Sequence, residues 1–258
     1  MKLKLTLSAL ALLPLATFVQ AEETEEKPAF TASAEFGALY RTGNTKSADI
    51  KTGLSLRHEK DKWRSSAKFD LLVRKTEETN SSGEEEFTTS DQRWSLDGKT
   101  NYTLSADGKN YLYGNLYYSE DRFNGFESQS TISGGWGRRW IDTEKTKLDI
   151  DIGPGFKRDV LEATASQPKD TQNTFIVQAQ GLYTHQINEH VEFRQLLSAK
   201  YAPKSGENSI YKSESSITTK LIETIQLRFA ITIDHNTEVL PGREKTDTQT
   251  SMTLVYNF

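Results

Sequence analysis

Residues 251–258 read Ser-Met-Thr-Leu-Val-Tyr-Asn-Phe and end the chain on an aromatic side chain. Every second residue of this stretch is apolar: Met252, Leu254, Tyr256 and Phe258. On a β-strand these four side chains point to the same side. A soluble domain seldom ends on its most apolar face, because chain termini are usually frayed and hydrated. The last strand of a transmembrane barrel must close the cylinder and present apolar side chains to lipid, so this stretch predicts such a strand.

The opposite end of the chain predicts export. A basic start at residues 1–4 is followed by an apolar run at residues 5–19, and the small residues around Ala21 predict cleavage directly after it. The apolar run is shorter than the ~20 residues of a membrane-spanning helix and contains a proline. The sequence therefore divides into a predicted signal peptide at residues 1–21, an acidic segment at 22–29 and a barrel domain at 30–258.

Composition excludes several other classes of protein. With 32 basic and 36 acidic residues the formal charge is −4, and the loss of Lys2 and Lys4 with the signal peptide takes it to −6. Because phosphate binding needs clustered positive charge, we expect no nucleic-acid partner. The absence of cysteine removes disulfides, thiolate chemistry and cysteine metal sites. A mean hydropathy of −0.65 argues against membrane helices but not against a barrel, whose alternation hides its apolar face.

Three internal segments repeat the two-residue period of the C-terminus. Apolar and charged residues alternate through residues 63–75, 191–201 and 225–235. A helix would spread these charges around its circumference, so the pattern favours strands. A soluble β-sandwich also alternates, but these strands approach the ~9–11 residues of a membrane strand. Aromatic residues gather at the predicted strand ends, where interfacial girdles lie. They are Trp63, Trp94, Trp136, Trp140, Tyr183, Tyr201, Tyr211 and Tyr256.

Turn signals set the number of strands. Short links are predicted at residues 59–62, 107–108, 142–145, 188–190 and 222–224. Longer polar links are predicted at 76–86, 120–127, 159–171, 203–209 and 238–245, with one tight exception at 43–45. Eleven links imply about twelve strands in a single closed, antiparallel, up-and-down transmembrane β-barrel, an all-β fold. Because short turns face the periplasm in outer-membrane barrels, both termini are predicted to be periplasmic.

One turn also predicts a register. An Asp-Gly pair at residues 107–108 is typical of a type I′ hairpin turn, in which both central residues have positive φ. That turn would pair Leu104 with Tyr111 and Tyr102 with Tyr113. These tyrosines are therefore predicted on the lipid side near the periplasmic rim.

The same alternation predicts a lumen crowded with both signs of charge. The residues predicted to point inward are Asp49, Lys51, Arg57, Arg64, Lys68, Asp70, Arg74, Asp91, Arg93, Asp97, Lys99, Lys147, Asp149, Asp151, Lys157, Glu192, Arg194, Lys200, Lys212, Glu214, Lys220, Arg228, Asp234 and Asp247. Cross-strand ion pairs would fill much of a narrow interior, and twelve strands lie between filled eight-stranded barrels and open porins. A small, weakly selective pore and a plugged cylinder both remain open. Arg138 falls instead on the outer face, where we interpret it as an interfacial arginine reaching toward head groups.

The histidines are the natural candidates for chemistry. His58 and His185 share the parity of lipid-facing residues, and His190 stands in a turn without the carboxylates of a metal site. An acidic cluster at residues 84–86 offers carboxylates for divalent cations beside lipopolysaccharide, but we interpret it as a solvated loop. We expect no metal and no cofactor.

His235 offers one enzymatic alternative. If Leu221 pairs with Leu227, Ser213 lies opposite His235 on the outer face, an arrangement similar to that of outer-membrane phospholipases. No Asn or Asp on that face is evident to orient the imidazole, as a catalytic triad requires. Ser213 also stands in a serine-rich segment, so a serine opposite this histidine arises easily by chance.

Several motifs resemble a known family. Residues 42–45 (Thr-Gly-Asn-Thr), 134–137 (Gly-Gly-Trp-Gly), 153–155 (Gly-Pro-Gly) and 255–258 (Val-Tyr-Asn-Phe) resemble the salt-induced outer-membrane protein family, long classed as of unknown function. The C-terminal residues also resemble the signature of bacterial outer-membrane proteins, which implies assembly by the barrel-assembly machinery in contact with lipid and lipopolysaccharide. The resemblance implies a non-enzymatic barrel serving envelope integrity, or minor passage of small solutes, under salt or osmotic stress. A narrow dedicated channel is the alternative.

Overall fold

The computed structural model describes residues 29–41, 47–79, 85–121, 126–163, 168, 170–239 and 244–258. The predicted signal peptide, residues 22–28 of the acidic segment and the tight link at 43–45 lie outside this range. The described residues form twelve strands: β1 (Phe30–Arg41), β2 (Ser47–Lys60), β3 (Trp63–Thr79), β4 (Glu85–Thr103), β5 (Asn110–Asp121), β6 (Phe126–Asp142), β7 (Thr146–Leu161), β8 (Asp170–Gln186), β9 (Val191–Tyr201), β10 (Ile210–Lys220), β11 (Ile225–Asn236) and β12 (Thr246–Asn257). No helix in the described part is long and apolar enough to cross a membrane.

The strands form one closed antiparallel barrel. Each strand pairs with the next in sequence, and β1 pairs with β12 to close the cylinder. The closing seam runs from the pair Ser33–Asn257 to the pair Phe36–Leu254. Beyond it, the amide of Phe258 donates a hydrogen bond to a β1 carbonyl at 3.0 Å. The predicted closed twelve-stranded barrel is confirmed, and the C-terminal stretch belongs to its closing strand.

Strand β7 shows the two faces of the wall. From Asp151 to Asp159 its side chains alternate strictly between buried and exposed. Phe156 exposes 64 % of its surface, whereas its neighbour Lys157 exposes 1 %. Soluble proteins bury apolar groups and expose charges. This wall does the reverse, as a barrel surrounded by lipid must.

The hairpin between β4 and β5 differs from the prediction. The amide of Gly108 donates to the carbonyl of Ser105 at 3.0 Å. Gly108 has a φ of +72°, but Asp107 does not have a positive φ. The turn is therefore not type I′, and the strands pair Thr103 with Tyr111 rather than Leu104 with Tyr111. The hydroxyl of Ser105 donates to the Asp107 carboxylate in this exposed turn and lowers the pKa of that group.

This shift of one position reverses the predicted orientation of two tyrosines. A one-residue change of register moves every side chain to the other face of a strand. Tyr111 and Tyr113 lie inside the barrel, 1 % and 5 % exposed, and their predicted lipid-side position is wrong. Tyr102 does face outward, with its ring 4.9 Å from that of Trp63.

Candidate functional site in the barrel lumen

Aromatic side chains mark the two edges of an apolar band on the outer face. Trp63 and Tyr102 meet at the end of the barrel where the termini lie. Trp94 and Tyr118 meet toward the other end, with ring centroids 5.2 Å apart. Tyr102 and Trp94 are both on β4, about 26 Å apart along the strand at ~3.3 Å per residue. A tilt of ~40° reduces this to about 20 Å, which suits the thin bacterial outer membrane.

Arg138 lies at the first of these edges. Its guanidinium is 5.5 Å from the centroid of the Trp140 ring, and its Nη1 donates to Oδ1 of Asn110 at 3.1 Å. The charge therefore stands beside an exposed aromatic ring at the level of the belt, as expected for an interfacial arginine.

Inside the barrel, Lys99 links strands that are not neighbours. Its Nζ on β4 is 2.5 Å from Oδ2 of Asp151 on β7 and 3.1 Å from Oε1 of Gln180 on β8. The Tyr111 hydroxyl on β5 donates to the same carboxylate at 3.4 Å. Asp151 is 2 % exposed and the Lys99 side chain is partly buried, so little of this pair is open to solvent. Because β5 and β6 separate β4 from β7, the contact crosses part of the lumen.

Glycines on β6 and β7 make room for this arrangement. A Cβ on Gly137 would lie 2.3 Å from the Tyr111 ring, which occupies that space. A Cβ on Gly135 would lie 2.2 Å from the carbonyl oxygen of Ile152 on β7. The glycine-rich stretch of β6 thus lets the two backbones and the tyrosine ring approach closely.

Lys200 reaches further across the lumen. It lies on β9, and its Nζ is 3.3 Å from Oγ1 of Thr131 on β6 and 3.9 Å from the ring centroid of Tyr117 on β5. Four steps around the wall separate β9 from β5 in the strand order. Within the described residues no carboxylate lies within ion-pair distance of this ammonium group. Side chains from distant arcs of the wall therefore meet inside the barrel.

Further ion pairs fill the interior. Arg228 on β11 pairs with Glu35 on β1, across β12. Lys157 pairs with Asp159, whose carboxylate also accepts from Gln129 at 3.2 Å. Predicted inward charges form the following pairs: Arg74–Asp49 (3.0 Å), Lys68–Asp70 (3.1 Å) and Lys212–Asp234 (3.6 Å). The interior is a network of mixed charge, as the alternation predicted.

Three members of this network were not predicted. Glu35 and Asp159 follow the parity of their strands and were recognisable from it. Arg139 forms a two-pronged contact with Asp149, at 2.8 and 3.0 Å. Its orientation depends on an irregularity between Arg139 and Ile141, which alternation alone does not reveal.

The predicted pairing of Ser213 with His235 is wrong. Ser213 lies opposite Ile233, and His235 lies opposite Tyr211, because Leu227 pairs with Thr219. The β10–β11 link spans residues 221–224, so the register differs by two positions from the prediction. The Ser213 hydroxyl accepts from Gln195 at 3.1 Å.

Nothing in these contacts prepares a serine nucleophile. His235 Nδ1 bonds to Oγ1 of Thr246 at 2.7 Å, away from Ser213. Among the described residues, no group of three or more potential metal ligands is clustered. His185 lies on the outer face with its Nδ1 2.8 Å from Oγ1 of Thr146. Residue 84 of the predicted acidic cluster lies outside the described residues, and Glu86 pairs with Glu78 in the β3–β4 ladder.

Comparisons with known proteins agree with this architecture. A family model described as "Protein of unknown function, DUF481" matches residues 34–258. The chain is 24 % identical over 240 residues to "Uncharacterized protein YdiY" of Escherichia coli (strain K12), covering 93 % of this chain and 87 % of that protein. The fold is similar to an outer membrane channel from Pseudomonas putida F1, with a TM-score of 0.51 and 12 % identity over 93 % of this chain and 100 % of the other.

Proposed function

The chain belongs to the DUF481 family of proteins of unknown function, and we propose that it is a non-enzymatic outer-membrane barrel that supports the envelope under salt or osmotic stress. In this role it passes small solutes at most slowly. The family membership that the motifs predicted is confirmed by the match over residues 34–258. The stress role follows from that resemblance and is our proposal.

Side chains that reach across the lumen support this proposal over an open porin. Lys200 reaches from β9 to Thr131 on β6 and Tyr117 on β5, three and four strands away around the wall. The Lys99–Asp151 pair adds a second crossing nearer the short-link end. Together with the Arg228–Glu35 pair on β11 and β1, these side chains narrow the lumen, which favours slow passage of small solutes over an open pore. A narrow dedicated channel is the alternative, and it requires a continuous path past Lys200.

We further propose that both termini face the periplasm. The end of the barrel at which the termini lie carries links of two to six residues: 61–62, 104–109, 143–145, 187–190 and 221–224. The other end carries the three longest links, 162–169, 202–209 and 237–245, which hold eight or nine residues. Its remaining links, 42–46, 80–84 and 122–125, hold four or five, so the link predicted at 120–127 is shorter than expected. In outer-membrane barrels the longer loops are extracellular. The C-terminal strand then faces the barrel-assembly machinery, and the outer belt contacts lipid and lipopolysaccharide.

A gene deletion tests the proposed role. A strain lacking this protein should grow poorly at raised NaCl and admit large antibiotics, and the wild-type gene should restore both. Ser213→Ala is the matched control and should restore both equally, because no catalysis is needed. Normal growth and an intact barrier in the deletion strain would contradict the stress role. Restoration by wild type but not by Ser213→Ala would instead support an enzyme.

A further inference from the structure

An apolar groove of 570 Å³ runs across the outer face of β3 to β8. Its walls are large, exposed apolar side chains: Leu96, Leu116, Ile132 and Phe156. Its floor consists of small residues: Ala67, Gly98 and Ser130. The volume falls in the range of ~300–1,000 Å³ that accommodates small-molecule ligands.

The groove belongs to the outer face rather than to the lumen. Asp97, Tyr117, Thr131 and Lys157 also border it, but they alternate with outward residues and point inward. Lys157 is 1 % exposed, and the Tyr117 ring contacts Lys200 inside the barrel. These residues therefore supply only backbone to the groove, and lipid has direct access to it.

Arg158 places a positive charge at the end of the groove nearest the longest links. Arg158 pairs in the ladders with Ser130 on one side and Asn173 on the other, and both border the groove. It is exposed on the outer face, and among the described residues its guanidinium makes no hydrogen bond or ion pair. Tyr118 is the next residue in the same row, and it belongs to the aromatic belt. Arg158 therefore lies at the level of lipid head groups.

One outward carboxylate of the belt, Glu120, is already engaged by other groups. Glu120 accepts from the Tyr118 hydroxyl at 2.7 Å and from the Trp94 indole nitrogen at 3.1 Å. Both of its oxygens are thus engaged on β4 and β5, two strands away from Arg158. The guanidinium keeps its full set of donors for a ligand, and its planar fork matches a phosphate.

We propose that this groove binds an acyl chain of lipopolysaccharide, with a phosphate of the same molecule paired to Arg158. The apolar walls suit the chain, and the cation at the head-group level suits the phosphate. The assignment to lipopolysaccharide rests on the proposed orientation, which places the long-link end of the barrel, and with it Arg158, in the outer leaflet.

Native mass spectrometry of the purified full-length protein tests the site. The barrel in detergent is mixed with lipopolysaccharide or, separately, with phosphatidylglycerol. We expect one tightly held lipopolysaccharide on wild type and at least tenfold weaker retention in Arg158→Gln and in Gly98→Leu. A Cβ on Gly98 would meet only the Leu116 carbonyl oxygen at 4.0 Å, so a leucine fills the groove without disturbing the wall.

Two control variants separate the site from general effects. Gly181→Leu adds the same side chain where a Cβ meets nothing within 4 Å. Arg138→Gln removes an arginine from the opposite belt. Both should retain lipopolysaccharide like wild type. Loosely bound lipid that all variants hold equally, equal retention of phosphatidylglycerol, or a dimer that covers the groove would each overturn the proposal.

A surface label distinguishes failure of the groove from failure of the orientation. The chain has no cysteine, so Lys204→Cys supplies a single thiol in the link at residues 202–209, where the side chain is 79 % exposed. A membrane-impermeant maleimide should label it on intact cells. Labelling without lipopolysaccharide retention refutes the groove alone, whereas no labelling on intact cells refutes the orientation.

Discussion

Replacing Gly137 by alanine should destabilise the barrel by displacing Tyr111. A Cβ at this position would lie 2.3 Å from Cε2 and 2.7 Å from the hydroxyl oxygen of that tyrosine. Ordinary carbon contacts are about 3.5–4.0 Å, so the ring must retreat by more than about 1 Å. Tyr111 is 1 % exposed and bonds to Asp151, which leaves the ring little space to occupy.

Two costs set the magnitude. Overpacking of a well-filled interior costs about 1–3 kcal/mol. Loss of the hydrogen bond to Asp151 adds about 0.5–1.5 kcal/mol. Against these, glycine to alanine in a strand is by itself favourable by about 0.5–1 kcal/mol. We therefore expect a net loss of about 0.5–4 kcal/mol in the free energy of unfolding, with about 2 kcal/mol as the central value.

Urea unfolding in phospholipid vesicles, followed by tryptophan fluorescence, measures this change. Gly181→Ala is the matched control, because its Cβ meets nothing within 4 Å and should leave stability unchanged or slightly raised. In a Tyr111→Ala background the Gly137→Ala penalty should vanish, which isolates the contact between the two residues. An equal penalty in both backgrounds would refute the assignment of the cost to Tyr111.

Three further predictions concern the interior, the outer face and the C-terminus. Asp151→Asn leaves the Lys99 ammonium without its carboxylate and should lower the free energy of unfolding by about 3–5 kcal/mol. Replacing both residues by apolar ones should cost much less, because no charge is then left unpaired. Equal losses for the two variants in urea titrations would contradict this. Neither the wild type nor His235→Ala should hydrolyse lipid above background. Hydrolysis by the wild type that His235→Ala loses would support the enzymatic alternative. Phe258→Ala should reduce the fraction of heat-modifiable protein in outer-membrane fractions, and an unchanged fraction would show that the terminal ring is not needed for assembly.

The fold was predictable because a lipid-facing wall imposes a period of two. Segment 63–75 alternates cleanly, and its pairing with β2 and β4 places Phe69 outward and Asp70 inward as predicted. Outside the apolar band this signal disappears. Strand β3 continues to Thr79 and strand β4 begins at Glu85, although residues 76–79 and 85–86 are polar on both faces. The long link predicted at residues 76–86 is therefore only 80–84.

Registers were less predictable than strands. The turn at Ser105–Gly108 needs one positive φ rather than two, and the link after β10 is one residue longer than its turn signal. A single misplaced turn residue reversed the faces of Tyr111 and Tyr113. A shift of two separated Ser213 from His235. Lys99 and Lys200 contact residues on strands that are not their neighbours. Alternation along one strand predicts the face on which a side chain lies but not which distant strand it reaches.

Single-channel recording in planar bilayers tests most directly whether these side chains close the lumen. We predict no large conductance steps for the wild-type protein and discrete steps for the double variant Lys99→Ala, Lys200→Ala, which removes both crossings. Heat-modifiable migration confirms beforehand that the variant is a folded barrel. Stable, porin-like conductance of the wild type, unchanged in the double variant, would contradict a lumen closed by its own side chains.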